Sequence, residues 1–236
     1  MASVASAIRS KVEKAPADRL WTFRDFRAFP GSAVAMTLSR LARKGVVRRL
    51  RKGVYYRPKK TRFGELKPDA VRVVSTVLDS KDVAWMPSGL AAWNALGLTT
   101  QISAVPTLAV ARRVSVEAPE TAVRLRVVPT LRAFSAEERA ALDALRDLRR
   151  IPGTTPEATI RRLADLCRAG RLVFARMTRA AHHEPPRVRA LLGLIGTLLR
   201  EDSGALARLK DSLNPVTTFQ LGLAGHFPEA ANWNVR

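Results

Sequence analysis

The stretch Gly31–Tyr56, GSAVAMTLSRLARKGVVRRLRKGVYY, decides how the rest of the chain is read. Pro30 and Gly31 form a turn, and Ser32 is placed to cap a helix that runs to Lys44 and is closed by Gly45. On that helix Val34, Leu38 and Leu41 recur at helical spacing and are expected to face a core. Ala33, Met36, Thr37, Arg40 and Lys44 are assigned to the opposite side. From Val46 to Tyr56, β-rich flanks surround a basic turn containing Gly53, which predicts a hairpin. Working backwards, Thr22 caps a short segment, Phe23 to Phe29, in which Phe23 and Phe26 share a face, and Trp21-Thr22 are extended in character. Before that, Ser3 caps a helix carrying Val4, Ala7, Ile8 and Val12, which Pro16 ends. The order helix, helix, helix, hairpin predicts a winged helix-turn-helix whose third helix reads DNA.

A recognition helix must fit a major groove about 12 Å wide, so small residues at its start let the backbone approach. Ser32 and Ala33 meet that need, with Met36 on the same face. Thr37 and Arg40 are expected to reach base edges. Arg43, Lys44, Arg49, Arg51 and Lys52 suit phosphates on either side of the groove. Charge supports the assignment. The chain of 236 residues carries 41 Lys and Arg against 20 Asp and Glu, a net +21. Residues 1–62 hold 17 of the basic residues against only Glu13, Asp18 and Asp25, a net +14. Arg-rich composition alone would spread charge evenly. Its concentration in the first quarter points to a polyanionic partner, because neutralising phosphates releases condensed counterions.

The run Thr37–Tyr56 resembles the winged helix of AbiEi-type antitoxins of type IV toxin-antitoxin systems. The run Pro87–Gln101, PSGLAAWNALGLTTQ, is similar to the next block of that family, and Pro185–Gly193, PPRVRALLG, to a later one. Together they extend the similarity over most of the chain. The resemblance implies a two-domain antitoxin that represses its own operon through operator DNA. It also implies a nucleotidyltransferase-like toxin as functional counterpart, opposed without a stable complex. The reading from residues alone leaves two alternatives: a stand-alone regulator whose second domain senses a ligand, and an enzyme of nucleic-acid modification.

Domains commonly run roughly 100 to 200 residues, so two are expected here, a DNA-binding domain over 1–62 and a second over 63–236. Pro58 to Gly64 reads as a linker. Beyond it, helices are expected at Pro68–Asp79 and Pro87–Leu96, and strands at Val83–Met86, Pro106–Ala111 and Val123–Val128. From Ala136 onward the pattern is helical, over about Ala136–Arg149, Pro156–Ala169, Leu172–Ala181, Pro186–Glu201 and Gly204–Leu213. The fold class is α+β: a winged helix, then a mixed α/β domain ending in a helical layer.

Chemistry-bearing patterns are sparse, and neither catalysis nor a cofactor or metal is expected. His182, His183 and Glu184 are adjacent, and neighbours on a helix point about 100° apart, so they read as a surface loop start rather than a metal site. Ser88 lacks a nucleophile-elbow frame and reads as a helix-start hydroxyl. Asp79 and Asp82 read as a helix end and a turn. Phe219, Phe227 and Trp233 are expected to close the core, and Ile160–Gly170 to be an amphipathic core helix. The lone Cys167 excludes an internal disulfide and reads as a small buried residue. The longest apolar run, Leu191–Leu199, is far short of the roughly 20 residues that cross a bilayer. With no secretory signal pattern at the start, the cytoplasm is the expected compartment.

Overall fold

The computed structural model describes residues 3–116, 122–179 and 181–236. The chain is mixed α and β and divides into two compact units, Met1–Ala84 with Arg113–Val123, and Trp85–Arg112 with Arg124–Arg236. Among the described residues no helix is long and apolar enough to cross a membrane.

In the first unit, α1 spans Val4–Lys14, and the Ser3 hydroxyl accepts a hydrogen bond from Ser6 N at 3.2 Å. Only Ile8 and Val12 of its apolar residues are buried; Val4 and Ala7 lie at the rim. Strand β1 (Leu20–Thr22) leads into a four-residue 3-10 turn, Phe23–Phe26, where a helix to Phe29 was expected. Asp25 holds this turn by accepting from the Thr22 backbone N at 2.7 Å and the Thr22 hydroxyl at 2.9 Å. Phe26 is buried, but Phe23 is 42% exposed and lies over the turn at Gly53, so the two do not share a buried face.

Helix α2 spans Gly31–Arg43, with Pro30 rather than Ser32 in the capping position and no side-chain cap bond. Proline brings its own φ near the helical value, which lets the helix open two residues earlier than a cap at Ser32 would. Ser32 is therefore inside the first turn and exposed. Strands β2 (Arg48–Arg51) and β3 (Val54–Tyr56) pair antiparallel across a Lys52-Gly53 turn in which Gly53 takes φ +81°, the left-handed region that favours glycine. The sheet order is β1-β3-β2. Alternation along the strands buries both its faces: Trp21 and Tyr55 pack with Ile8, Phe26, Val34 and Leu38, whereas Leu20, Val54 and Tyr56 pack with Val73 and Val77.

Those two valines belong to α3 (Ala70–Ser80), capped by Asp69, whose carboxylate accepts from Arg72 N at 3.1 Å. The expected boundary after Arg62 thus falls inside the first unit. The expected linker is instead a second antiparallel hairpin, β4 (Lys59–Thr61) with β5 (Gly64–Leu66). Its strands are solvent-facing and polar, so they carry no burial pattern to betray them.

The second unit opens with β6 (Trp85–Ser88), a short α4 (Leu90–Ala95), β7 (Thr107–Val110) and β8 (Arg124–Val127). Strands β6 and β7 are antiparallel and β7 and β8 parallel. Ser88 ends a strand and does not start the helix; Gly89, at φ +63°, makes that entry. Helices α5 (Ala136–Arg146), α6 (Pro156–Arg168), α7 (Phe174–Arg179), α8 (Pro186–Leu199) and α9 (Ser203–Asp211) follow, close to the expected layer. Helix α8 is central: Val188, Leu191, Leu192, Leu194 and Ile195 join one core with Leu142, Ile160, Leu163, Phe227 and Trp233. Phe219 packs against that core from its edge. Gly193 and Gly196 admit ring contacts, since a Cβ on Gly193 would lie 2.1 Å from the Trp233 ring and one on Gly196 2.5 Å from Phe174.

Candidate nucleic-acid interface

Helix α2 and the β2–β3 hairpin share one core but point their polar side chains outward. Around α2, Val34, Leu38 and Leu41 are buried, as the spacing predicts. Thr37 is buried with them, at 7% exposure. At about 100° per residue it stands only about 60° from Val34, so the inward arc is wider than its three aliphatic residues suggest. Thr37 is therefore a core-side residue and not one that reaches a base. Met36, 58% exposed, and the exposed Ser32, Arg40, Arg43 and Lys44 form the outer face, with Ala33 half-buried beside them.

On the hairpin, Arg49 and Lys52 are exposed. Arg49 Nε donates to the Arg51 carbonyl at 3.3 Å, across the point where Leu50 breaks the β2–β3 register. Arg51 is half-buried, and its Nη1 is buried with no hydrogen bond among the described residues.

Pairing separates these cations from several others in the unit. Arg9 bonds Glu13 at 2.8 Å, Arg72 bonds Asp18 at 2.5 Å, and Arg19 stands 3.8 Å from Asp25 while covering the Trp21 ring. Arg48 forms a two-pronged bond to Glu65, at 2.8 and 3.0 Å. That bond holds the Glu65 carboxyl below its ordinary pKa and raises that of Arg48. Arg57 is spent on backbone, donating to Glu13 O at 2.7 Å and Ala15 O at 2.5 Å. By contrast Arg40, Arg43, Lys44, Arg49, Arg51 and Lys52 have no carboxylate partner among the described residues. They leave six positive charges on two neighbouring elements.

Two lysines overlooked by the sequence reading join them. Lys59 and Lys60 of β4 line an open groove with Lys44 and Gly45. Their basic run is plain in the sequence but lies in the segment that reads as a linker.

A family model described as "Family of unknown function (DUF6088)" matches residues 7–130, more than half of the chain. The chain belongs to the DUF6088 family. The matched span takes in all of the candidate interface and continues through β8. No curated protein matches this DUF6088 member. Among solved structures it is similar to the crystal structure of the RV2827C protein from Mycobacterium tuberculosis, at 12% identity and a TM-score of 0.57, over 97% of this chain and 89% of that one. At that identity the likeness shows the fold alone.

The second unit of this DUF6088 member buries a charge network that sequence reasoning missed. Arg139, fully buried, donates from Nε to Asp143 at 3.1 Å and from Nη1 to Glu184 at 2.9 Å. Ser88 Oγ donates to the other Asp143 oxygen at 2.8 Å. Glu184 also accepts from Arg146 at 2.5 Å, so it is a buried anchor and not part of a surface loop. His182 and His183, at its side, are exposed with ring centroids 3.8 Å apart. No group of three or more His, Cys, Asp or Glu that could hold a metal occurs among the described residues. A guanidinium sealed from water costs several kcal/mol unless paired, so this network reads as a scaffold that fixes α5 against the segment before α8.

Proposed function

We propose that the first unit is a winged helix-turn-helix that binds duplex DNA, and that the protein is a sequence-specific transcriptional regulator. The observation that carries this reading is the set of six cations without carboxylate partners on α2 and the β2–β3 hairpin, in a unit where Arg9, Arg19, Arg48 and Arg72 are paired with carboxylates. Helix α2 is the recognition helix, with Ser32 and Ala33 permitting close approach and Arg40 and Met36 facing base edges; Met36 suits a thymine methyl. Arg43, Lys44, Arg49, Arg51 and Lys52 hold phosphates, and the Lys52-Gly53 turn is the tip of the wing.

The resemblance to AbiEi-type antitoxins extends the proposal. The protein represses its own operon, and the second unit counters a nucleotidyltransferase-like toxin without a stable complex. Selection of the full chain against a pool of random duplexes tests the DNA reading. An enriched motif is expected, with Arg40→Ala losing about 1 to 3 kcal/mol on that motif and little on random DNA. Failure to retain any duplex at low salt would sink the reading. The antitoxin role is checked separately by co-expressing a nucleotidyltransferase-like toxin encoded beside this gene, held at constant level from a separate promoter. Rescue of growth by Arg40→Ala as well as by the unaltered protein is expected.

A further inference from the structure

Four arginines from three segments of the second unit converge on one depression of about 370 Å³: Arg146 at the end of α5, Arg149 and Arg150 in the following 3-10 turn, and Arg187 in the first turn of α8. Leu148 and Leu221 also line it, and Asp147 is the carboxylate on its wall. The carboxylates nearby are already shared. Asp143 serves Arg126 and Arg139, Glu184 serves Arg139 and Arg146, and Asp147 stands 3.7 Å from both Arg126 and Arg150. Six guanidinium groups therefore meet three carboxylates. Arg187 spends its Nη2 on the Arg146 carbonyl, and Arg149 has no partner among the described residues. Nε of Arg146 is buried and makes no hydrogen bond there.

We infer that this depression binds a small phosphate-bearing ligand. The excess of three positive charges matches a diphosphate or a phosphorylated metabolite, and the planar guanidinium fork fits phosphate oxygens two at a time. The volume lies at the lower end of that for small-molecule sites, which suits a compact anion. Such an anion relieves the mutual repulsion of Arg149, Arg150 and Arg187 and supplies an acceptor near Arg146. This inference is independent of the DNA reading, and the two together describe a regulator whose second unit senses phosphorylated ligands.

The test is calorimetric titration of the full chain with inorganic pyrophosphate at about physiological ionic strength, where non-specific attraction is screened over roughly 8 Å. Saturable binding at one site per chain is expected. It should weaken at least tenfold in the double variant Arg149→Ala/Arg187→Ala. The double variant Arg27→Ala/Arg132→Ala, which removes the same charge from exposed positions elsewhere, should bind as the unaltered protein does. Because Arg187 also braces the Arg146 carbonyl, Arg149→Glu provides a second check. It should weaken binding without lowering the ligand-free melting temperature, since it also relieves the repulsion among the arginines. The inference is overturned by non-saturable binding or by equal weakening in both double variants. It is overturned too if Arg149→Ala/Arg187→Ala spares pyrophosphate but lowers affinity for duplex DNA, which would make the depression part of a nucleic-acid surface.

Discussion

Consider the replacement of Arg49, Arg51 and Lys52 together by alanine. If each of the five cations assigned to phosphates, Arg43, Lys44, Arg49, Arg51 and Lys52, neutralises one, log affinity should fall with log salt at a slope of about −4.5, from about −0.9 per phosphate on duplex DNA. Raising salt fourfold, from about 50 to 200 mM, then weakens binding roughly 500-fold. The triple variant keeps two such contacts, its slope should be about −1.8, and the same salt step should cost only about 12-fold. Preference for the selected motif over random DNA should survive, since Arg40 and Met36 are untouched. Fluorescence anisotropy with a labelled duplex, repeated over a salt series, measures both quantities. A charge-neutral control, Arg9→Ala with Glu13→Ala, removes an ion pair already closed on itself and should leave the slope where it was. If the triple variant shows the slope of the unaltered protein, the hairpin is not on the phosphates and the wing assignment fails.

Other perturbations probe the second unit. Asp143→Ala leaves Arg139 sealed with one carboxylate fewer and should cost about 3–5 kcal/mol in denaturant unfolding; a loss under about 1 kcal/mol would show that the network is not a single buried unit. Gly193→Ala drives a methyl into the Trp233 ring, and overpacking of this kind costs about 1–3 kcal/mol, or a fall of roughly 2–4 °C per kcal/mol in a thermal melt. An unchanged melt would mean that the tail segment carrying Trp233 is not tightly seated on α8. Cys167 is a half-buried thiol that burial, with Glu201 nearby, pushes up to about 11. It should resist alkylation at pH 7 to 8 and react faster as pH climbs toward that value, because the thiolate is the nucleophile; rapid labelling of the folded protein at neutral pH would contradict this.

How far the sequence could be read depended on whether a pattern was local. Helix α2 and the β2–β3 hairpin were legible because helical spacing, alternation and the Gly45 and Gly53 turns all lie within some twenty-five residues. Thr37 was misplaced because a polar residue at the edge of an apolar arc belongs to either side until the neighbouring elements are in position. The β4–β5 hairpin escaped because both of its strands face solvent, so alternation carries no burial signal. The Arg139 network was invisible for a different reason: Ser88, Asp143 and Glu184 are separated by 55 and 41 positions, and no spacing rule joins them. The same holds for the arginine depression, where Arg187 joins residues near 150 only because α8 packs back on α5.

The sheet covered on both faces sets the smallest piece of this protein that can live alone. A fragment ending at Arg62 would retain every cation assigned to DNA, yet Leu20, Val54 and Tyr56 would lose Val73 and Val77 and stand bare beside the edge strand β2. Bare apolar strands recruit copies of themselves, so such a fragment should clump rather than work. Any rearrangement of genes that carried the part proposed to contact DNA into a new protein would have to carry α3 as its lid.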